Sequence, residues 1–419
     1  MISSLPRAFV LLVLLSTAQG ADWPQWRGPQ RTGHAPAGVP VPKTLPAELK
    51  ILWRTKLGDG LASPVVAGGK IFYLDNQQGK ETLHAAQAAD GSVLWSEAID
   101  DSFKDSQSPA GPRCTPLAND GRVYAQSCRG ELQCRDAVSG KLVWRTSFVT
   151  NLGAVFTGEK GQSAGAVRHG YDGSPLIDDG HLIATVGGTT GASVVCFDKA
   201  TGKMIWKSQN DTASYAPPII ETIAGRRQIV AFTVEGLIGL DPRDGALLWR
   251  VPFKTTFGRH VTTPVVVEDL VCIASHEFGL VATRITGDGG QLQAATVWTN
   301  KQAAINFSSP VAVGAHLYGV GPAKNLICVE AKTGRIAWSK DGYFTTAAGK
   351  AHAGFLVLGD SILASTDGGQ LVLFAADPGE FRERGRAQVC GNNWSNPAYA
   401  DGQLFLRDAK ELLSVALRP

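Results

Sequence analysis

The chain has 419 residues, 44% hydrophobic and 18% charged, with 40 Lys and Arg against 37 Asp and Glu. That is too apolar and too weakly charged for a disordered chain, and a formal net charge of +3 supplies no basic stripe for nucleic acid. Glycine contributes 48 residues, well above the ~7% of an average protein, and without a collagen period this excess predicts many tight turns between short strands.

Residues 1–20 read as an export signal. Arg7 forms the charged region, Ala8 to Leu15 a short apolar run, and Ala18-Gln19-Gly20 a small-x-small cleavage site before Ala21. The apolar run is far shorter than the ~20 residues that span a bilayer, and no later segment is apolar enough to cross one. The expectation is an exported, periplasmic or secreted protein with no transmembrane segment, most simply a monomer. Residues 21–48 form a leader, and residues 49–419 are expected to make one folded unit.

Trp53, Trp95, Trp144, Trp206, Trp249, Trp298 and Trp338 recur at intervals of 40 to 62 residues. Five carry the same phrase, with a Gly four and a Trp eight positions after an acidic or polar residue: Gln87-Gly91-Trp95, Asp136-Gly140-Trp144, Asp198-Gly202-Trp206, Asp241-Gly245-Trp249 and Glu330-Gly334-Trp338. Trp298 follows an altered version through Asp288, Gly289 and Gly290. A second phrase, a small or polar residue then Pro and an apolar run, precedes each unit, as at Ser63-Pro64, Thr115-Pro116 and Ser174-Pro175. Eight units result. Each contains four β-rich runs bounded by Gly and Asp, the pattern of successive hairpins. Four-stranded units at this period predict an all-β, eight-bladed β-propeller of antiparallel blades. The last unit supplies three strands within residues 395–417, so the strand predicted at 51–57 should complete it and close the ring. The seven Trp fall on the outermost strands and are expected to be interblade core.

Seven cysteines in an exported chain raise the question of disulfides. Cys134, Cys196 and Cys328 each lie two residues before the turn acid, where other units have Ala85 or Gly239. They are expected to be small buried residues rather than reactive thiols. Cys114 and Cys128 flank one hairpin and are left open as a pair. The eight His show no ligand spacing, and no metal site is expected.

Asp198-Lys-Ala-Thr-Gly-Lys-Met-Ile-Trp206, with near copies at Asp136 to Trp144 and Glu330 to Trp338, resembles the repeat of pyrroloquinoline-quinone (PQQ) type propellers. The leader Trp23-Pro-Gln-Trp-Arg-Gly-Pro-Gln-Arg-Thr-Gly33 resembles that of exported PQQ-like repeat proteins. The resemblance covers nearly all of the chain after the signal and implies one of two functions. Quinoprotein dehydrogenases hold PQQ and calcium and oxidise alcohols or sugars; BamB-like scaffolds hold no cofactor and bind proteins at the envelope. Fold alone does not choose between them.

In a propeller, a ligand site draws on the loops ahead of the innermost strands. Those positions are Arg113, Tyr171, Asp172, Tyr215, His260, Asn306, His352, Asn393 and Trp394, with His169 and Arg168 beside Tyr171 in the densest polar cluster. The long stretches Asp100–Pro112, Thr150–Tyr171 and Asp341–Ala351 should emerge on this face, bringing Lys104, Asp105, Lys160 and Lys350 with them. No calcium-ligand motif accompanies these residues. The expectation is therefore a binding scaffold without cofactor, taking a protein segment or a small anionic ligand. The alternative is a PQQ-dependent dehydrogenase with calcium, and a hydrolase or lyase is a more remote one.

Overall fold

The structure is a computed structural model describing residues 22–287, 291–345 and 351–417. The export-signal reading, the phrase through Asp288 to Gly290, and Lys350 lie outside the described residues. Eight four-stranded antiparallel sheets stand in a ring. They span 65–101, 117–147, 176–208, 219–252, 265–300, 311–340 and 353–388, with an eighth of 398–416. The strand Ile51–Lys56 pairs antiparallel with Glu411–Ala416 at the outside of that eighth sheet, Thr55 opposite Leu412. Arg407 of the same sheet is fully buried and donates to the carbonyls of Leu74, Ala62 and Gly58, at 2.7, 3.3 and 3.2 Å. The last blade is thus tied to the first through backbone.

The Gly–Trp phrase joins one blade to the next. The turn acid folds its own blade: Asp198 accepts from the Ala200 and Thr201 amides, and the Gly202 amide returns to the Asp198 carbonyl at 2.8 Å. This leaves Gly202 at φ +71°, a conformation that costs glycine little. The indole of the preceding blade lies directly on that glycine. A Cβ there would stand 2.5 Å from Trp144. The same holds for Gly91 under Trp53, Gly140 under Trp95, Gly245 under Trp206 and Gly334 under Trp298. Most of the indole N–H groups reach a carbonyl in the next blade's turn: Trp53 to Ala88, Trp144 to Lys199, Trp206 to Pro242, Trp298 to Ala331 and Trp338 to Asp377, at 2.8 to 3.1 Å. Trp249 instead donates to Gln228 of its own blade.

The seven indoles are not equally covered. Trp53, Trp144, Trp206 and Trp249 are buried, but Trp95, Trp298 and Trp338 are only half-buried. They sit at the rim, where an indole covers a turn on one face and leaves part of itself in water.

The small slot on the third strand now has a cause. Register pairs Cys134 with Trp144, Cys196 with Trp206, Gly239 with Trp249, Ala282 with Trp298, Cys328 with Trp338 and Ala85 with Trp95. Only a small side chain fits opposite the indole; at Gly239 a Cβ would lie 2.2 Å from Trp249. A register shift follows each pair, the bulge that turns the outer strand. All seven cysteines are free, Cys114 and Cys128 included.

The leader runs along the inner strands, whose inward edges a propeller leaves unpaired. Trp23 bridges Val66, His34 bridges Val357, and the Ala118 amide donates to the Pro24 carbonyl. Arg27 and Arg31 are both buried. Arg27 donates to Pro310 O at 2.6 Å, and Arg31 to Ser174 O and Pro175 O at 2.9 and 2.8 Å. Burial pulls their pKa values down to about 10 and about 9. Both hold left-handed φ values of 58° and 61°, strain that persists only because the ring fixes the segment from several sides.

Two outcomes follow. Gly202→Ala and Trp144→Ala should each destabilise the ring, the latter by about 3–5 kcal/mol. Chemical denaturation reads the loss, and a cost under about 1 kcal/mol for Trp144→Ala would show that the indole does not join the blades. Burial pushes the thiols of Cys134, Cys196 and Cys328 up to about 11, about 12 and about 12. A thiol reagent applied to native protein at pH 8 should leave all three unmodified over hours, and rapid labelling would contradict the packed slot.

Candidate functional site

At the mouth of the channel lies a cavity of about 430 Å³. Every blade sends to it a residue from just before its innermost strand: Leu61, Arg113, Asp172, Tyr215, Arg259, Phe307, His352 and Trp394 in ring order. The leader adds Trp26, whose indole N–H donates to Thr263 at 2.9 Å, so the segment that fills the channel also floors the cavity.

One wall is a polar network. Asp105 accepts from the amides of Gln107 and Ser108, both at 2.8 Å. Its other oxygen lies 2.8 Å from His169 Nδ1 and 2.9 Å from an Arg113 nitrogen. Arg113 also donates to the His169 carbonyl. Burial opposes the charge on Asp105, but the His169 hydrogen bond and the Arg113 cation outweigh it and hold this carboxyl well below its usual range. The long loops of the first and second blades are stitched here, with Ser106 bonded to Glu159 and Phe103 edge-on to Phe156 at 4.9 Å. Behind it, Glu81 accepts from the Cys128 amide, and burial pushes its carboxyl up to about 8.

The opposite wall is aromatic. Trp394 stacks on His352 with centroids 5.5 Å apart and planes 9° apart, and meets Phe307 edge-on at 5.6 Å. Arg259 lies 6.0 Å over Phe307 and has no ion-pair partner among the described residues. Between the two walls, beside His169 and Arg113, Tyr215 is 6% exposed, yet its hydroxyl has no hydrogen-bond partner among the described residues, and neither does Asp172 Oδ1. Burial raises the Asp172 carboxyl to about 7 despite the Arg113 cation nearby.

Of the ten candidate positions, the structure gathers Arg113, His169, Asp172, Tyr215, His352 and Trp394 around one cavity. Asn306 lines a smaller adjoining pocket with His276 and Lys324. Three belong to the interior instead. Tyr171 packs edge-on against Phe148 and donates to Val186 O, His260 stacks on Phe232 at 4.1 Å, and Asn393 is spent on Ser365 and Ser395. Lys104 and Lys160 are exposed on the rim loops. Trp26, Asp105, Arg259 and Phe307 complete the site. Asp105 had a signal in its long loop, and Phe307 had one in its offset, three residues before Pro310 as Arg113 is before Pro116; Trp26 enters through the leader, whose route no local pattern encodes.

PQQ would need cations for three carboxylates and oxygen ligands for calcium. The cavity offers an aromatic floor but only two Arg, one already claimed by Asp105. No group of three or more His, Cys, Asp or Glu gathers at metal-binding range among the described residues. These residues do not match that cofactor.

Asp172 makes the site pH-sensitive. Its folded pKa is raised from 3.8 to about 7, so the fold keeps a proton that the unfolded chain releases, and Asp172 costs stability increasingly as pH rises across that window. Asp172→Asn should remove this cost, which reaches about 4 kcal/mol above pH 7 at ~1.4 kcal/mol per unit. Melting of variant and wild type at pH 5 and pH 8 tests it: the variant's advantage should grow with pH, and an equal difference at both values contradicts the assignment.

A family model described as outer membrane protein assembly factor BamB matches residues 46–127 and 80–340. The outer membrane protein assembly factor BamB of Yersinia pestis is 25% identical over 353 residues, covering 78% of this chain and 77% of that protein. The dehydrogenase subunit of a quinone-type alcohol dehydrogenase from Komagataeibacter europaeus is 29% identical over 174 residues, 38% of this chain but 21% of its own length. The crystal structure of BamB from Moraxella catarrhalis superposes with a TM-score of 0.56 at 16% identity, over 88% of this chain and 99% of that one. A computationally designed protein, Ika8, does so at 0.58 and 9% identity, over 87% and 99%. These two likenesses concern the fold.

Proposed function

The chain belongs to the family of the outer membrane protein assembly factor BamB, and from that premise we propose that it is an exported envelope scaffold that captures a segment of a partner protein at the cavity face. The observation that carries this reading is the division of the cavity. One wall is held by the ion pairs and hydrogen bonds among Asp105, Arg113 and His169. The other presents Phe307, Trp394 and an unpaired Arg259. Rigid aromatic anchors beside an available Arg are what binding hot spots are made of, and long loops on a rigid ring are where binding concentrates. Export follows from the reading of residues 1–20. No helix among the described residues is long and apolar enough to cross a membrane.

The test is capture from envelope extract with amine crosslinking. The partner should crosslink to Lys104 and Lys160, and capture should fall at least tenfold in a Phe307→Ala, Trp394→Ala double variant whose melting temperature stays near that of wild type. Unchanged capture would place the binding surface elsewhere. In parallel, PQQ with calcium should give no saturable absorbance change. Tight binding together with alcohol-dependent dye reduction would replace the scaffold by a dehydrogenase.

A further inference from the structure

We propose that the axial cavity is a binding site for an acidic sugar, a hexuronate-type pyranose held by its ring on the indoles and by its carboxylate on Arg259. This rests on the cavity being a binding surface, as the scaffold reading holds, and adds a ligand class that the partner protein does not supply.

The size is right for one sugar ring and its substituents: about 430 Å³ falls within the ~300–1,000 Å³ of small-molecule sites. The two indoles are set before any ligand arrives. Trp26 is fixed by its bond to Thr263, and Trp394 by stacking on His352. Flat π faces suit the C–H face of a pyranose, which is apolar although its edge carries hydroxyls.

The unsatisfied groups then select among ring compounds. Buried polar atoms almost always have partners, yet the Tyr215 hydroxyl and Asp172 Oδ1 have none among the described residues. The Tyr215 hydroxyl lies within electrostatic reach of Asp172, Arg113 and Arg259 at once. A ligand must bring an acceptor to Tyr215 and a hydroxyl to Asp172, which a simple aromatic or aliphatic guest cannot do. Ser108 and Asn396, also in the lining, extend the polar rim on which sugar hydroxyls could be read.

Charge supplies the last requirement. Arg113 is matched by Asp105 and faces Asp172. Arg259 has no such partner among the described residues and is half-buried over Phe307. A guanidinium with free N–H groups at a partly dry wall favours a carboxylate, which it can grip with two bonds.

The experiment is calorimetric titration of the full chain with methyl β-glucuronide and with its neutral counterpart, methyl β-glucoside. The glucuronide should bind at least tenfold more tightly. Arg259→Gln should erase that preference, and Trp394→Ala should weaken both sugars. Melting curves verify that each variant is folded, and the arginine arm stands alone if the tryptophan variant does not fold. Failure of either sugar to bind saturably, or a glucuronide preference that survives Arg259→Gln, overturns the proposal. Partner capture that persists while sugar binding fails would remove only the ligand class; loss of capture with intact sugar binding would remove only the scaffold.

Discussion

The ring depends on one contact: an indole from one blade lying on a left-handed glycine of the next. Each blade alone is a four-stranded sheet whose faces need neighbours. The Trp closes the gap at the rim, and its N–H satisfies a carbonyl that the neighbouring turn would otherwise leave to water. The contact demands three things together. The turn acid must hold the turn, the glycine must supply positive φ without a Cβ, and the residue across the strand from the Trp must be small. The repeated phrase in the chain is the written form of that demand, spread over two blades rather than one.

That distribution explains what could be read from residues alone. Blade number, strand count and the Trp series are local or periodic, so they appear as spacing. The small slot at Cys134, Cys196 and Cys328 was visible as a pattern, but its cause, the facing indole, needed strand register. The positions ahead of the innermost strands were legible because a propeller sends them all to one mouth. Whether a side chain there turns inward is decided by its neighbours. Tyr171 and His260 have aromatic partners waiting in the interior, Phe148 and Phe232, and join them. Tyr215 and Trp394 lie one step nearer their unit's Pro, three residues before it rather than four, and line the cavity. That one-residue offset separates the two pairs, because successive side chains on extended backbone point to opposite sides.

The leader was the least legible part. Its Trp and Arg residues have no helical or strand period. Its two Arg reach main-chain carbonyls at the third and sixth blades, which carry no side-chain signature, and Trp26 reaches a single hydroxyl, that of Thr263. Yet this segment gives the cavity its floor, and the buried guanidiniums keep it there with no carboxylate paired to them among the described residues. The site is therefore composite: eight loops supply its walls, and a ninth element, distant in sequence from most of them, supplies its base.

The leader's anchors also set an order of events. Its docking points lie in Val66, Ala118, Ser174, Pro310 and Val357, residues spread over most of the chain that follows it. A segment synthesised among the first can be seated only among the last, after the ring exists to receive it. Such long-range closure is slow, and until it happens the inner strand edges stand open to foreign strands. The chain thus carries its own temporary vulnerability, one that ends when the leader comes to rest at the centre of the finished ring.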